Sequence, residues 1–174
     1  MKKQFKTVHG NDYETPHWLF DRLNKEFRFT WDLAASPGLE KCEKFFSPEE
    51  DSLKQDWHLL DGWLWLNPPF SPLKPWIQKA QYEFRRGAKI VVLMPVVIST
   101  RYFAHVPPTQ VRIITGRVDF LKDGVPSKGN TQDVCLSIYG GEFSERVRWV
   151  SKRLLREPPT FKRRPQEGRS PPRA

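Results

Sequence analysis

Residues 62–80 read GWLWLNPPFSPLKPWIQKA. Trp63 to Leu66 have the apolar character of a short strand, and the pattern stops at Asn67-Pro68-Pro69-Phe70. Proline has no N–H and a fixed φ, so two in succession end any strand or helix they meet. Beyond the stop, PLKPWIQKAQYEFRRG predicts a helix with Trp76, Ala80 and Phe84 on one face and Gly87 past its end. AKIVVLMPVV, residues 88–97, is then an almost unbroken apolar run, the pattern of a strand covered on both faces. Strand, helix and doubly buried strand in that order predict an α/β fold of three αβα layers. Open sheets of this kind bind ligands beyond the carboxyl ends of their strands. Three strand ends follow from that rule: DLAAS at 32–36, LNPPF at 66–70 and PVV at 95–97.

Working outward, TPHWLFDRLNKEF carries a helix start, with Thr15 as N-cap and Pro16 at the first helical position. Leu19, Phe20, Leu23 and Phe27 follow at helical spacing. RFTWDLAAS reads as a short strand, and residues 36–57 as mixed structure with two Ser-Pro breaks and one helical turn. TRYFAHV is a short helix or turn, and VRIITGRVDFL a strand broken or bulged near Gly116. DVCLSIY is the last expected strand, with a helical piece over FSERVRWVSKRLLR after it. The organisation expected is an arm over 1–11, one domain over 12–156, and a disordered Pro- and Arg-rich tail over 157–174.

The chain has 174 residues, enough for one domain with a sizeable core. No run approaches the roughly 18 apolar residues of a membrane span. The basic start MKKQFKTVHGND lacks the apolar segment of a secretory signal, so a cytoplasmic protein is expected. Cys42 and Cys135 stand far apart and are read as free thiols, and no His, Cys or acidic spacing points to a metal. The net charge of +9 is concentrated late: residues 146–174 hold ten Lys/Arg and two Glu. Such a segment either holds nucleic-acid phosphates without reading sequence or solubilises the chain.

Asn-Pro-Pro-Phe has a chemical reading beside a structural one. A planar conjugated amine, such as the amino group of adenine, has a delocalised lone pair and is a poor nucleophile. Two acceptors aimed at its N–H groups favour a tetrahedral nitrogen and restore nucleophilicity. The Asn67 side-chain oxygen and the Pro68 carbonyl can be those acceptors, with Pro68 and Pro69 fixing the carbonyl's direction in advance. Phe70 then offers a flat face for an extruded base. The structural alternative is a rigid strand exit with Phe70 packed in the core.

YETP, FTWDLAAS, FFSPEEDSL, WLWLNPPF and IVVLMP, in this order over roughly residues 11–140, resemble the phage-type DNA N-6-adenine methyltransferase family. The resemblance implies a Rossmann-like methyltransferase fold, S-adenosylmethionine as cofactor and methyl transfer to adenine in double-stranded DNA. NPPF is similar to the family's catalytic motif, which implies catalytic roles for Asn67, Pro68, Pro69 and Phe70. Tyr13, Thr15 and Pro16 resemble the element that cradles the methionine end of the cofactor. Asp32, Leu33 and Ala34 resemble the first cofactor motif, without the G-x-G common in methyltransferases, and Asp51 resembles the acid that recognises the cofactor's adenine. Each has a plainer reading: helix cap for Thr15, cap or ion pair for Asp32, solvated helix start for Asp51. Glu43 is the candidate for the cofactor ribose, and Ser71, Lys74 and Trp76 are candidates for the target-base channel. The length leaves little room for a separate target-recognition domain, so weak or short-site specificity is expected, carried by residues 122–132, the tail or a partner. Rival readings are methylation of cytosine, an RNA base or a protein glutamine, and a catalytically silent nucleic-acid-binding protein. The oligomeric state is not legible.

Overall fold

The computed structural model describes residues 13–97, 101–122, 124–127 and 132–156. The arm expected over 1–11 and the tail expected over 157–174 lie outside the described residues. Helix α1 (His17–Phe27) buries Leu19, Phe20, Leu23 and Phe27, the four positions that helical spacing picks out. Its start is one residue later than the capping pattern suggests. Pro16, not Thr15, holds the N-cap position, and its carbonyl receives the amides of Leu19 and Phe20. The helix closes at Arg28 in the left-handed region (φ 55°), and the Asn24 side chain accepts the next amide, that of Phe29, at 2.7 Å.

Strands β1 (Phe29–Asp32) and β2 (Lys44–Phe45) follow, then three single-turn 3-10 helices between residues 48 and 59. Next come β3 (Trp63–Leu66), α2 (Lys74–Arg85), β4 (Lys89–Pro95), the short α3 (Arg101–His105) and β5 (Gln110–Thr115). A small hairpin of β6 (Leu121–Lys122) and β7 (Val125–Pro126) precedes β8 (Val134–Tyr139), β9 (Val147–Ser151) and α4 (Lys152–Arg156). Seven strands form one sheet in the order β2-β1-β3-β4-β8-β5-β9. All neighbours in it are parallel except β8, which runs antiparallel to both β4 and β5.

Two expectations are corrected. Val147–Ser151 is a strand and not part of a helix, paired in parallel with Val111–Thr115. Arg146 to Trp149 alternates cation and apolar residue, a two-residue period that a short amphipathic helix also tolerates, and β5 supplies the partner that decides between them. The strand set therefore does not end at Tyr139. On α2 the buried positions are Ile77, Ala80, Gln81 and Glu83, while Trp76 and Phe84 sit half-buried at the margin of the core.

Alternation along β4 explains how helices come to cover two faces. Ile90, Val92 and Met94 join a cluster with Leu64, Leu66, Ile77 and Ala80, which is the α2 side. Val91 and Leu93 join Trp65, Ile114 and the four buried residues of α1. Successive residues of a strand point to opposite faces, so a fully apolar strand needs cover on both. Among the described residues no helix is long and apolar enough to cross a membrane. Cys42 and Cys135 are both buried free thiols, pushed up by burial to about 12 and about 11.

One buried polar network ties the segment before β3 to α2. The Glu83 carboxylate is fully buried and accepts the Lys79 ammonium at 2.6 Å and the His58 amide at 2.9 Å. Arg86, a donor only, lies 2.9 Å from His58 Nε2, so that nitrogen accepts and the imidazole proton sits on Nδ1, 2.7 Å from Glu83. Burial alone would raise the Glu83 pKa, but the hydrogen bonds from Lys79 and His58 outweigh it and hold the carboxyl below its usual value. A depressed carboxyl stabilises the fold above its unfolded pKa and loses that contribution as the pH falls. Glu83→Gln is therefore expected to lower unfolding free energy by about 3 kcal/mol at neutral pH, because it strips the carboxylate partner from the Lys79 ammonium and the acceptor from the His58 N–H groups. In urea titrations the gap from wild type should be full above pH 4.5 and shrink below it; a gap independent of pH would contradict the network.

Candidate active site

β1 and β3 are adjacent and parallel, so their carboxyl ends open at the same edge of the sheet. A cavity of about 350 Å³ lies there, lined by residues 13–15, by the exit of β1, by residues 67–71 after β3, and by Phe120 and Gln132. That volume is within the usual range for a small-molecule site. Tyr13, Thr15, Asp32, Ala34, Asn67, Pro68, Pro69, Phe70 and Ser71 all stand in this wall. Segments separated by tens of residues in the sequence are thus brought to one place.

The Asn67 amide donates from Nδ2 to the Tyr13 carbonyl at 2.9 Å. A carbonyl only accepts, so this contact fixes which end of the amide is NH₂ and leaves Oδ1 as an acceptor at the pocket wall. Neither Oδ1 nor the Pro68 carbonyl receives a hydrogen bond among the described residues. Phe70 is half-buried and meets Phe120 edge-on at 5.6 Å, with Tyr13 6.4 Å from the same ring. The two readings of Phe70 are therefore compatible, since it packs against the core and still lines the cavity.

Asp32 ends β1 and is 3% exposed. Its oxygens accept the Ala34 amide at 3.2 Å and the Lys41 amide at 3.0 Å, which folds the β1 exit around the carboxylate. Burial nevertheless pushes its pKa up to about 6, since two backbone N–H groups and a nearby lysine offset only part of the lost hydration. Thr15 is 1% exposed, and its hydroxyl has no hydrogen-bond partner among the described residues. A buried hydroxyl left unpaired costs about 1 kcal/mol or more, and this one stands in the cavity wall.

Glu14 (within YETP), Lys41, Phe120 and Gln132 (at the end of the 122–132 segment) also line the cavity. Glu14 exchanges both backbone hydrogen bonds with Leu121, accepts the Gly124 amide on its side chain at 3.1 Å, and approaches Lys41 at 4.0 Å. It thereby clasps the β6–β7 hairpin to the pocket. Its position between Tyr13 and Thr15 is the available signal, as the 122–132 segment is for Gln132; Lys41 and Phe120 arrive on segments that give none.

Other expected residues lie elsewhere. Leu33 is fully buried in the core beneath the sheet's α2 side. Pro16 serves the start of α1 and is not part of the wall. Asp51 adopts φ 48° and pairs with Lys54 at 2.8 Å, away from the cavity lining, and Glu43, Lys74 and Trp76 are likewise outside it.

A family model described as DNA N-6-adenine-methyltransferase (Dam) matches residues 2–153. The chain belongs to that family. It is 30% identical over 112 residues to the DNA N-6-adenine-methyltransferase of Escherichia phage T1, a match covering 64% of this chain and 47% of the phage protein. It is also 30% identical over 94 residues to the DNA N-6-adenine-methyltransferase of Haemophilus phage HP1 (strain HP1c1), covering 52% of this chain and 53% of that protein. The chain spans about half the length of the curated relatives it matches.

Thr15→Val removes the orphaned hydroxyl with little change of shape. It is expected to stabilise the ligand-free protein by about 1 kcal/mol in chemical denaturation. A loss of stability of similar size would mean that the hydroxyl already has a partner in the protein.

Proposed function

We propose that this chain transfers a methyl group from S-adenosylmethionine to the N-6 amino group of adenine in double-stranded DNA. The observation that carries this reading is the hydrogen bond from Asn67 to the Tyr13 carbonyl, which leaves two acceptors, Asn67 Oδ1 and the Pro68 carbonyl, beside an aromatic face in a cavity. Membership of the family supports it. The seven-stranded sheet, with α1 and α2 on its two faces, is read as a Rossmann-like three-layer methyltransferase fold over residues 12–156.

The cavity suits a cofactor with a cationic amino-acid end, because it combines the buried Asp32 carboxylate with an unpaired hydroxyl. Asp32 would meet the ammonium, and Thr15 the carboxylate near the start of α1, where unpaired amides favour negative charge. Tyr13 and Ala34 would line its path. S-adenosylmethionine supplies an electrophilic methyl group on a sulfonium that departs as a neutral thioether. Asn67 Oδ1 and the Pro68 carbonyl hold the two amine hydrogens, drawing the nitrogen lone pair out of conjugation. The prolines keep that geometry at no cost at the moment of reaction. Phe70 holds the extruded base flat. No side chain needs to act as a strong base, since the nitrogen sheds its proton after transfer. Asp51 and Pro16 have no role here that the cavity supports.

The test is incubation with isotopically labelled S-adenosylmethionine and unmethylated duplex DNA, followed by digestion to nucleosides. Label in N-6-methyladenine is expected; label only in N-4-methylcytosine, RNA or protein, or none at all, overturns the proposal. Asn67→Ala should slow transfer by about 10²- to 10³-fold, with cofactor affinity held within a few-fold. Calorimetric affinity for the cofactor should weaken as the pH falls through about 6, because protonated Asp32 no longer pairs with the ammonium. Affinity flat from pH 5 to 8 would remove Asp32 from that role.

A further inference from the structure

The segment Arg146–Arg156 holds five Lys/Arg and no acidic residue. It does not continue as a tail but folds back as the edge strand β9 and helix α4. We propose that this edge is where the phosphate backbone of the substrate duplex docks, a proposal that rests on the DNA reading above. Residues 147–149 are exposed, and nothing among the described residues pairs with the strand's outer edge. Trp149 is 64% exposed, an unusual cost for an indole unless a partner covers it. Arg146 and Arg148 are exposed, and neither side chain makes a hydrogen bond or ion pair among the described residues. Lys152, by contrast, is spent internally on Asp119 at 2.9 Å and on the Arg117 carbonyl.

Strand direction connects this edge to the pocket. β3 and β4 are parallel, β8 reverses, β5 reverses again, and β9 runs parallel to β5. Through the pairs Leu66–Val92, Val92–Ser137, Ser137–Val111 and Val111–Val147, the start of β9, where Arg146 and Arg148 stand, is level with the end of β3 at the cavity. Four inter-strand steps separate β3 from β9, about 19 Å at the usual strand spacing. A duplex with its target base at Asn67 can therefore reach β9 with phosphates roughly six base pairs away. The turn after β5 spans the gap: exposed Arg117 leads through Asp119, held by Lys152, to Phe120 in the cavity wall. A second copy of the chain is a poor occupant, since it would set one uncompensated cationic edge against another, whereas a polyanion relieves the repulsion.

The experiment compares wild type with Arg146→Ala/Arg148→Ala in the full chain, by fluorescence anisotropy on a labelled duplex at graded salt. Loss of two phosphate contacts should reduce the slope of log Kd against log salt by about two, with duplex binding weakened roughly tenfold or more at low salt. Calorimetric affinity for S-adenosylmethionine should be unchanged, which also reports correct folding. An unchanged salt slope overturns the docking surface while leaving the methyltransferase reading intact. Absence of any methyl transfer to DNA by wild type would instead overturn that reading. If Trp149→Glu turns a sedimenting dimer into a monomer without altering duplex affinity, the edge is a self-association surface and the proposal fails.

Discussion

A hydrogen bond from the Asn67 amide to the Tyr13 carbonyl spans 54 residues of chain, and the pocket takes its form from it. One end of the amide is committed to Tyr13, so the other presents oxygen. The following prolines cannot donate and cannot rotate about φ, so the Pro68 carbonyl is held without help from other groups. The same contact brings Tyr13, Glu14 and Thr15 against the ends of β1 and β3. Glu14 in turn anchors the β6–β7 hairpin and, with it, Phe120 against Phe70. An amide that could not donate would leave the acceptor without a fixed direction, while Glu14 still holds the wall to the hairpin.

Two polar groups in that wall are under-compensated. Asp32 is buried enough that burial outweighs its two backbone hydrogen bonds, and the Thr15 hydroxyl is buried with none. A protein gains nothing in stability from either. Under the proposed function a cation and an anionic or polar group would compensate both. The Glu83 network is the contrast: a carboxylate equally removed from water but surrounded by Lys79 and His58, serving the fold and not the site.

Where burial and local period agree, the sequence was legible. Leu19, Phe20, Leu23 and Phe27 could be placed on the inner face of α1 because helical spacing leaves them no other common face. WLWL and IVVLMP were readable as strands because prolines and glycines bound them. The antiparallel direction of β8 was not, since a strand buried at every position reads alike in either direction. β9 reads as helix from the sequence because its alternating arginines and apolar residues carry no sign of the partner strand β5. In the site, the NPPF turn and Asp32 were visible as strand ends. Asp51 pairs with Lys54 and stands outside the cavity lining. Lys41, Phe120 and Gln132 depend on loop paths that only tertiary contacts fix.

The most direct measurement is the single-turnover rate of methyl transfer by Asn67→Asp at saturating cofactor and duplex. Aspartate keeps the size and the acceptor oxygens of asparagine but cannot donate to the Tyr13 carbonyl. If that bond orients the acceptors, transfer should slow by about 10²-fold, with cofactor affinity unchanged within a few-fold. A rate within a few-fold of wild type would show that the amine is held without it.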